Sequence, residues 1–287
     1  MIQVVSVIAY LLFAPFLGGL LDGVDRIISA RMQGRKGPPL LQPFYDLQKL
    51  FTKQMFAVNS VQLLLNLSYL IFLAVAGCML FAGADILMCL FVLTTADMFL
   101  IMAASSDSSP FSTLGAGREM IQMMAYEPLT LLMAVGFYLA TGSFHVGTII
   151  TMPYSAVLFL PGMLMGFFFI TAIKLRKSPF DLSTSHHAHQ EMVKGITTEM
   201  AGPTFAIMNV AEYYEMILML GLVALFFLNE NWWSWPLAIA VCLFVYFLEI
   251  LWDNVCARMK WRTLLDSCWI VTLLCGGLNL LILMLIH

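Results

Sequence analysis

Residues 61–105 read VQLLLNLSYLIFLAVAGCMLFAGADILMCLFVLTTADMFLIMAAS, two apolar runs parted only around Gly83-Ala84-Asp85. Each run reaches the roughly 20 residues a helix needs to cross a bilayer. Neither alternates apolar with polar residues, as a lipid-facing barrel strand does. In hydrocarbon an unpaired backbone group costs several kcal/mol, so each run must close its hydrogen bonds internally, as a helix. The rest of the chain repeats the pattern. Runs of spanning length lie near 2–22, 61–82, 84–105, 120–141, 155–174, 205–228, 235–254 and 268–286, the fourth interrupted by Glu127-Pro128. Of the 287 residues 61% are hydrophobic and 11% charged, against about 25% charged in a soluble domain. Such a chain cannot cover itself with polar surface. The composition predicts an all-α integral membrane protein, a bundle of about eight transmembrane helices with long cytoplasmic loops, forming a single polytopic domain over 1–287. The first run has neither a basic leading segment nor a small-residue cleavage site, so it is expected to be retained as a span.

The basic residues test the count. Arg26, Arg31, Arg35, Lys36, Lys49 and Lys53 lie between runs one and two, and Arg118 between three and four. Lys174, Arg176, Lys177 and Lys194 lie between five and six; Arg258, Lys260 and Arg262 lie between seven and eight. These are all 14 Lys and Arg residues of the chain. A miscounted span would scatter them over both sides. The positive-inside rule then puts both termini outside a cell membrane and the basic loops in the cytoplasm. Trp232, Trp233 and Trp235 precede run seven, as an interfacial belt would.

The basic loops, about 23–60 and 175–204, have the composition of docking surfaces. In the first, Gly37-Pro38-Pro39 forces a turn, and Tyr45, Leu47, Leu50 and Phe51 predict a short amphipathic helix with Lys49 and Lys53 on its polar side. In the second, Ser183-Thr184-Ser185 could open a short helix. His186, His187 and His189 suggest proton exchange or a polar docking surface, because a zinc site would need a fourth ligand in defined geometry. No metal is expected. The six cysteines form no CxxC pair, and most lie in or beside spans, which reads as small buried apolar residues.

The strongest chemical signal is a set of acids in or beside the apolar runs: Asp97, Glu127, Glu212, Glu215, Glu249 and Asp253. A charge at the bilayer centre costs about 2.5–3.5 kcal/mol even on the insertion scale, so these groups must face the bundle interior or a wet cavity. Glu212 and Glu215 share a helix face at i, i+3, and Glu249 and Asp253 at i, i+4. With every Lys and Arg assigned to loops, nothing within a span is expected to neutralise them. They are candidates for an ion path.

The loops resemble those of a known family: the membrane subunit that forms the quinone chamber of respiratory complex I, and its counterparts in energy-converting nickel–iron hydrogenases. The likeness covers nearly the whole chain. Arg31, Gln33, Arg35, Gly37-Pro38, Gln42, Asp46 and Lys49 match the first loop's pattern. Pro179-Phe180-Asp181-Leu182 matches its P-F-D-L, and Glu191, Gly195 and Glu199 fit the stretch that follows. Ala211-Glu212-Tyr213 and Tyr126-Glu127 match two helix motifs. Complex I members carry a glutamate five residues before P-F-D-L and an arginine two before it; here stand Lys174 and Lys177. Their P-E-A-E is replaced by the longer Ser183–His189. That stretch, with Asp107, Arg118 and Glu119 around Ser106–Phe111, is most similar to the Ech-type hydrogenases.

The resemblance implies an eight-helix core and a non-catalytic subunit of an oxidoreductase complex. Such a subunit couples ferredoxin-linked hydrogen evolution or uptake to proton or sodium translocation. It implies docking through Arg31, Arg35, Asp46, Lys49, Asp107, Arg118, Asp181, His186, His187, His189, Glu191 and Glu199. The implied partners are the hydrogenase large and small subunits, a ferredoxin-like iron–sulfur subunit and an antiporter-like membrane subunit, with no nucleic acid. The nickel–iron centre and iron–sulfur clusters would reside in those partners and no cofactor in this chain. Glu127 would be the relay partner nearest Glu212. A complex I quinone-chamber subunit and a stand-alone ion transporter remain as alternatives; against the transporter stand the missing inverted repeat and the two long loops.

Overall fold

The computed structural model describes residues 2–54, 59–184 and 194–286. The helices are α1 (Ile2–Met32), α2 (Gln42–Thr52), α3 (Ser60–Phe81), α4 (Ile86–Ser105), α5 (Pro110–Thr141), α6 (Val146–Ile150), α7 (Pro161–Lys174), α8 (Pro203–Leu225) and α9 (Ser234–Val255). The last span begins as α10 (Trp261–Val271), passes through a π turn (Thr272–Gly277) and ends as α11 (Leu278–Ile286). No strand occurs among the described residues.

Among the described residues, seven helical stretches are long and apolar enough to cross a membrane. The fifth apolar run, near 155–174, is helical over only part of its length: residues 155–160 form a loop with a 3₁₀ turn, and α7 has only 14 residues. At 1.5 Å per residue it is about 21 Å long, short of a hydrocarbon core of about 30 Å. Pro161 at its first turn sets where it starts.

Two other helices overrun their apolar runs. α1 continues to Met32, so Asp22, Asp25, Arg26 and Arg31 sit on helix and not in a loop. α5 starts at Pro110, which places Arg118 and Glu119 inside it. The amphipathic helix expected after the Gly-Pro-Pro turn is α2. Ser183 and Thr184 are not helical, and Ser185 lies outside the described residues. Trp232, Trp233 and Trp235 are exposed.

α8 is the central post, packed on α1, α3 and α9; α3 also packs on α4, and α5 on α4, α7 and α10. Small residues permit the close approaches. A Cβ on Gly18 of α1 would stand 2.6 Å from the Tyr213 carbonyl oxygen of α8. One on Gly115 would stand 2.5 Å from the Ile196 nitrogen, where a 3₁₀ turn (Gly195–Thr197) lies on α5. α7 ends inside the bundle, and the chain after it fills the remaining depth. Phe180, Ser183, Ile196 and Met200 are buried there. Irregular backbone at such depth is tolerated because protein covers it.

Candidate functional site

The site grows from the end of α7. Its last turn closes as a Schellman motif: Arg176 N–H donates to the Ile173 carbonyl and Lys177 N–H to the Ala172 carbonyl, each at 3.0 Å. The residue that turns left-handed is Arg176, with φ 49°. A glycine would take this conformation without cost; a residue with a Cβ pays about 1–3 kcal/mol. The turn therefore places Lys174, Arg176 and Lys177 in a defined fan, and carboxylates from four helices receive them.

Lys174 Nζ lies 2.5 Å from Asp97 Oδ2 of α4 and 2.9 Å from Glu215 Oε1 of α8, all three side chains being about 5% exposed. Tyr126 OH donates to Asp97 at 2.8 Å and Tyr69 OH to Glu215 at 3.1 Å. Asp97 lies about 12 Å along α4 from its end at Ser105, and Glu215 about 18 Å along α8 from Pro203. The triad is thus deep in the bundle. The expectation that nothing neutralises these acids is corrected: Lys174, the last residue of the short apolar helix α7, pairs with two of them. Its low exposure follows from burial on all sides, and its charge is tolerable there because it is paired and hydrogen-bonded.

Arg176 pairs with Glu212 of α8 and, at 3.3 Å, with Glu119 of α5. Burial opposes its charge, but these two carboxylates outweigh burial and hold the guanidinium well above its ordinary value. Lys177 pairs with Asp25 of α1, and Ser178 N–H donates to Asp253 Oδ1 of α9 at 2.7 Å. Burial would lower Lys177, yet Asp25 makes the net shift upward. Farther along, Asp181 is buried and paired with Arg258. Burial pushes its carboxyl up to about 6 against the pull of Arg258.

The six acids expected in an ion path divide accordingly. Asp97 and Glu215 meet at Lys174, Glu212 is joined to them through the backbone of the same fan, and Asp253 holds the chain at Ser178. Glu249 is fully buried with no partner on either oxygen among the described residues. Glu127 is half-buried on α5 and joins no ion pair among the described residues. The partner of Glu212 is Arg176.

The residues expected to dock divide too. Arg31, Arg35, Lys49 and Glu199 are exposed at the basic end. Asp46 on α2 receives Arg26 at 2.7 Å and Gln42 at 2.9 Å. Burial would raise its carboxyl, but these donors hold it below its ordinary value. Asp107 is engaged inside the chain by Asn59 at 2.8 Å and Gln62 at 2.5 Å, and Arg118 donates to the Leu182 carbonyl at 3.4 Å. Asp181 is likewise engaged inside the chain, by Arg258. His186, His187, His189 and Glu191 lie outside the described residues. No group of three or more His, Cys, Asp or Glu converges as a metal site among the described residues.

Sequence reasoning missed Lys174, Arg176, Lys177, Glu119 and Asp25 as site residues. One signal was available: Lys174 ends an apolar run and stands where family members carry an acid, which marks a position facing the interior.

A polytopic helical bundle that encloses ion-paired carboxylates at membrane depth defines the class. The chain belongs to the NADH dehydrogenase family of the complex I subunit 1 type, whose model matches residues 3–284. It is 29% identical over 239 residues to hydrogenase-4 component C of Escherichia coli K12, covering 78% of this chain and 75% of that one. It is also 29% identical over 308 residues to an NADH-quinone oxidoreductase subunit of Rhodospirillum rubrum, covering 92% and 90%. Among solved structures it resembles a chain of the membrane-bound sulfane sulfur reductase, an archaeal respiratory membrane complex, with a TM-score of 0.88, 18% identity and coverage of 99% and 100%. The protein is a multi-pass membrane subunit of a complex I-like complex.

Proposed function

We propose that this chain is the ion-translocating membrane subunit of an Ech-like energy-converting nickel–iron hydrogenase. It would couple ferredoxin-linked hydrogen evolution or uptake to movement of protons or sodium ions. The observation that carries the reading is the Lys174–Arg176–Lys177 fan seated on Asp97, Glu215, Glu212, Glu119 and Asp25. Lys174 stands where complex I members carry an acid, and the fan continues directly into the connection expected to face the redox arm. Charge or shape changes at that connection would move three cations against five carboxylates at once, which alters how tightly those carboxylates hold protons. The relation to hydrogenase-4 component C supports the hydrogenase branch.

The chain itself would hold no nickel or iron. Its partners would be hydrogenase large and small subunits, a ferredoxin-like subunit and an antiporter-like membrane subunit, docked in part through Arg31, Arg35, Lys49 and Glu199. The basic end would face the cytoplasm and both termini would lie outside the cell membrane. A quinone-chamber role is the second reading, favoured by the likeness to the Rhodospirillum rubrum oxidoreductase over nearly the whole chain.

Solubilisation of the native membrane in mild detergent, with capture through this chain, separates the two. Nickel and iron–sulfur subunits should co-purify, and the preparation should evolve hydrogen from reduced ferredoxin. A complex with bound quinone, quinone-dependent turnover and no nickel would overturn the proposal.

A further inference from the structure

Among the described residues the buried carboxylates Asp25, Asp97, Asp181 and Glu215 each have a cationic partner. Glu249 does not. It is 0% exposed, and neither oxygen has a hydrogen-bond partner. An ionised carboxylate left so would carry a penalty of several kcal/mol; a buried group in that position holds a proton instead.

Its surroundings supply a reason for its presence. Tyr246, Glu249 and Asp253 fall on one side of α9, at i, i+3 and i, i+7. Lys177 Nζ stands 5.9 Å from the centre of the Tyr246 ring while paired with Asp25 of α1. Three residues, a rise of about 4.5 Å, separate the positions of Tyr246 and Glu249. The charged groups whose fields act on Glu249 are Lys177 and Asp253, and those that act on Lys177 are Asp25, Asp253 and Asp22. Asp253 is occupied by the Ser178 amide. The packed face of α8 offers Met216 and Leu220, which are apolar. From α1 come Leu21, Ile28, Asp22 and Asp25, of which Asp22 is held by Arg26 at 3.0 Å. The flexible four-carbon stem of Lys177 thus has Asp25 in use, Asp22 and Asp253 engaged elsewhere, and Glu249 without a partner.

We infer that Lys177 is an exchangeable counter-ion shared between Asp25 and Glu249, and that Glu249 is protonated whenever Lys177 is on Asp25. When the ammonium moves to Glu249, the Glu249 O–H bond breaks and its proton passes to water. The vacated Asp25 carboxylate takes a proton from water and forms an O–H bond. Lys177 remains an ammonium throughout, and one proton has been exchanged between α9 and α1. As a step in translocation this rests on the proposed ion path, because Lys177 belongs to the fan that the redox arm would move. The exchange itself is a property of the resting protein.

Infrared spectroscopy of the intact complex in lipid at neutral pH tests it, with no ferredoxin and no ion gradient, so its outcome is independent of whether the complex is a hydrogenase. Subtraction of the Glu249→Gln spectrum from wild type should reveal the carbonyl stretch of a protonated carboxyl. Asp25→Asn should remove the same band, because Glu249 is then the carboxyl near Lys177 that no other group engages. Asp25→Asn combined with Lys177→Met should restore it, because no cation is left to move, and this restoration distinguishes exchange from misfolding. No band lost in Glu249→Gln would show Glu249 ionised and overturn the inference. A band that persists in Asp25→Asn, or fails to return in the double variant, would overturn the exchange.

Discussion

Replacement of Lys174 by Met keeps the length of the side chain and removes the charge between Asp97 and Glu215. Both carboxylates keep a tyrosine donor, Tyr126 at 2.8 Å and Tyr69 at 3.1 Å, but lose the cation that holds them together. Breaking a buried ion pair on one side costs about 3–5 kcal/mol. A second route caps that loss. Protonating one carboxyl at pH 7 against an ordinary value near 4 costs roughly 3 pH units at about 1.4 kcal/mol each, near 4 kcal/mol. The variant should therefore lose about 4 kcal/mol at pH 7. The loss should shrink by about 1.4 kcal/mol for each unit the pH is lowered, because the rescuing proton becomes cheaper. Thermal unfolding in detergent, followed with a thiol-reactive dye that reports the buried Cys89 and Cys268, gives the measurement. The triple variant Lys174→Met, Asp97→Asn, Glu215→Gln should recover most of the loss, since no charge is then left buried. A loss under about 1 kcal/mol, or one that does not change with pH, would refute the idea that Lys174 is a desolvated counter-ion.

On the proposed hydrogenase function, Glu212→Gln leaves Arg176 with Glu119 alone, so the fan should stay folded while ion pumping per hydrogen evolved falls in sealed vesicles; pumping at the wild-type level would confine Glu212 to holding Arg176. Asp181 carries its value of about 6 above the ordinary 3.8, so folding favours its protonated form. Its contribution to stability should fall as pH rises from about 4 to about 6 and stay flat above, the reverse of a salt-bridged acid with a depressed value. Subtracting the pH–stability curve of Asp181→Asn from that of wild type isolates this slope, and a difference curve rising over the same window would contradict it.

Seven of the spans, and the clustering of basic residues between them, were legible in the sequence, because lipid leaves the backbone no choice but helix and because long apolar runs cannot be mistaken for soluble ones. α2 was legible from the Gly-Pro-Pro turn and the apolar spacing behind it. The acids were legible as a set, since each is costly where it stands. Their partners were not. Lys174 was counted with the loops because it adjoins Arg176 and Lys177, and composition does not tell the last residue of a buried helix from the first residue of a loop. The shortness of α7 decides it: by stopping about 21 Å from its start, the helix delivers its terminal cations to the bundle interior. Likewise Asp107, Arg118 and Asp181 carry the residue types of a docking surface, yet each is engaged by its own chain.

The sequence by itself determined that this protein lives in a membrane, that it crosses it as helices, and that its costly groups there are carboxyls. Those facts follow from transfer energies, which each residue contributes wherever its neighbours are. Which carboxyl meets which cation was decided only by tertiary structure. Asp25, Asp97, Glu119, Glu212 and Glu215 come from four helices scattered along most of the chain, and the left-handed turn at Arg176 aims three cations among them. Pairing of that kind depends on where helices of unequal length end against one another, and no local pattern encodes it.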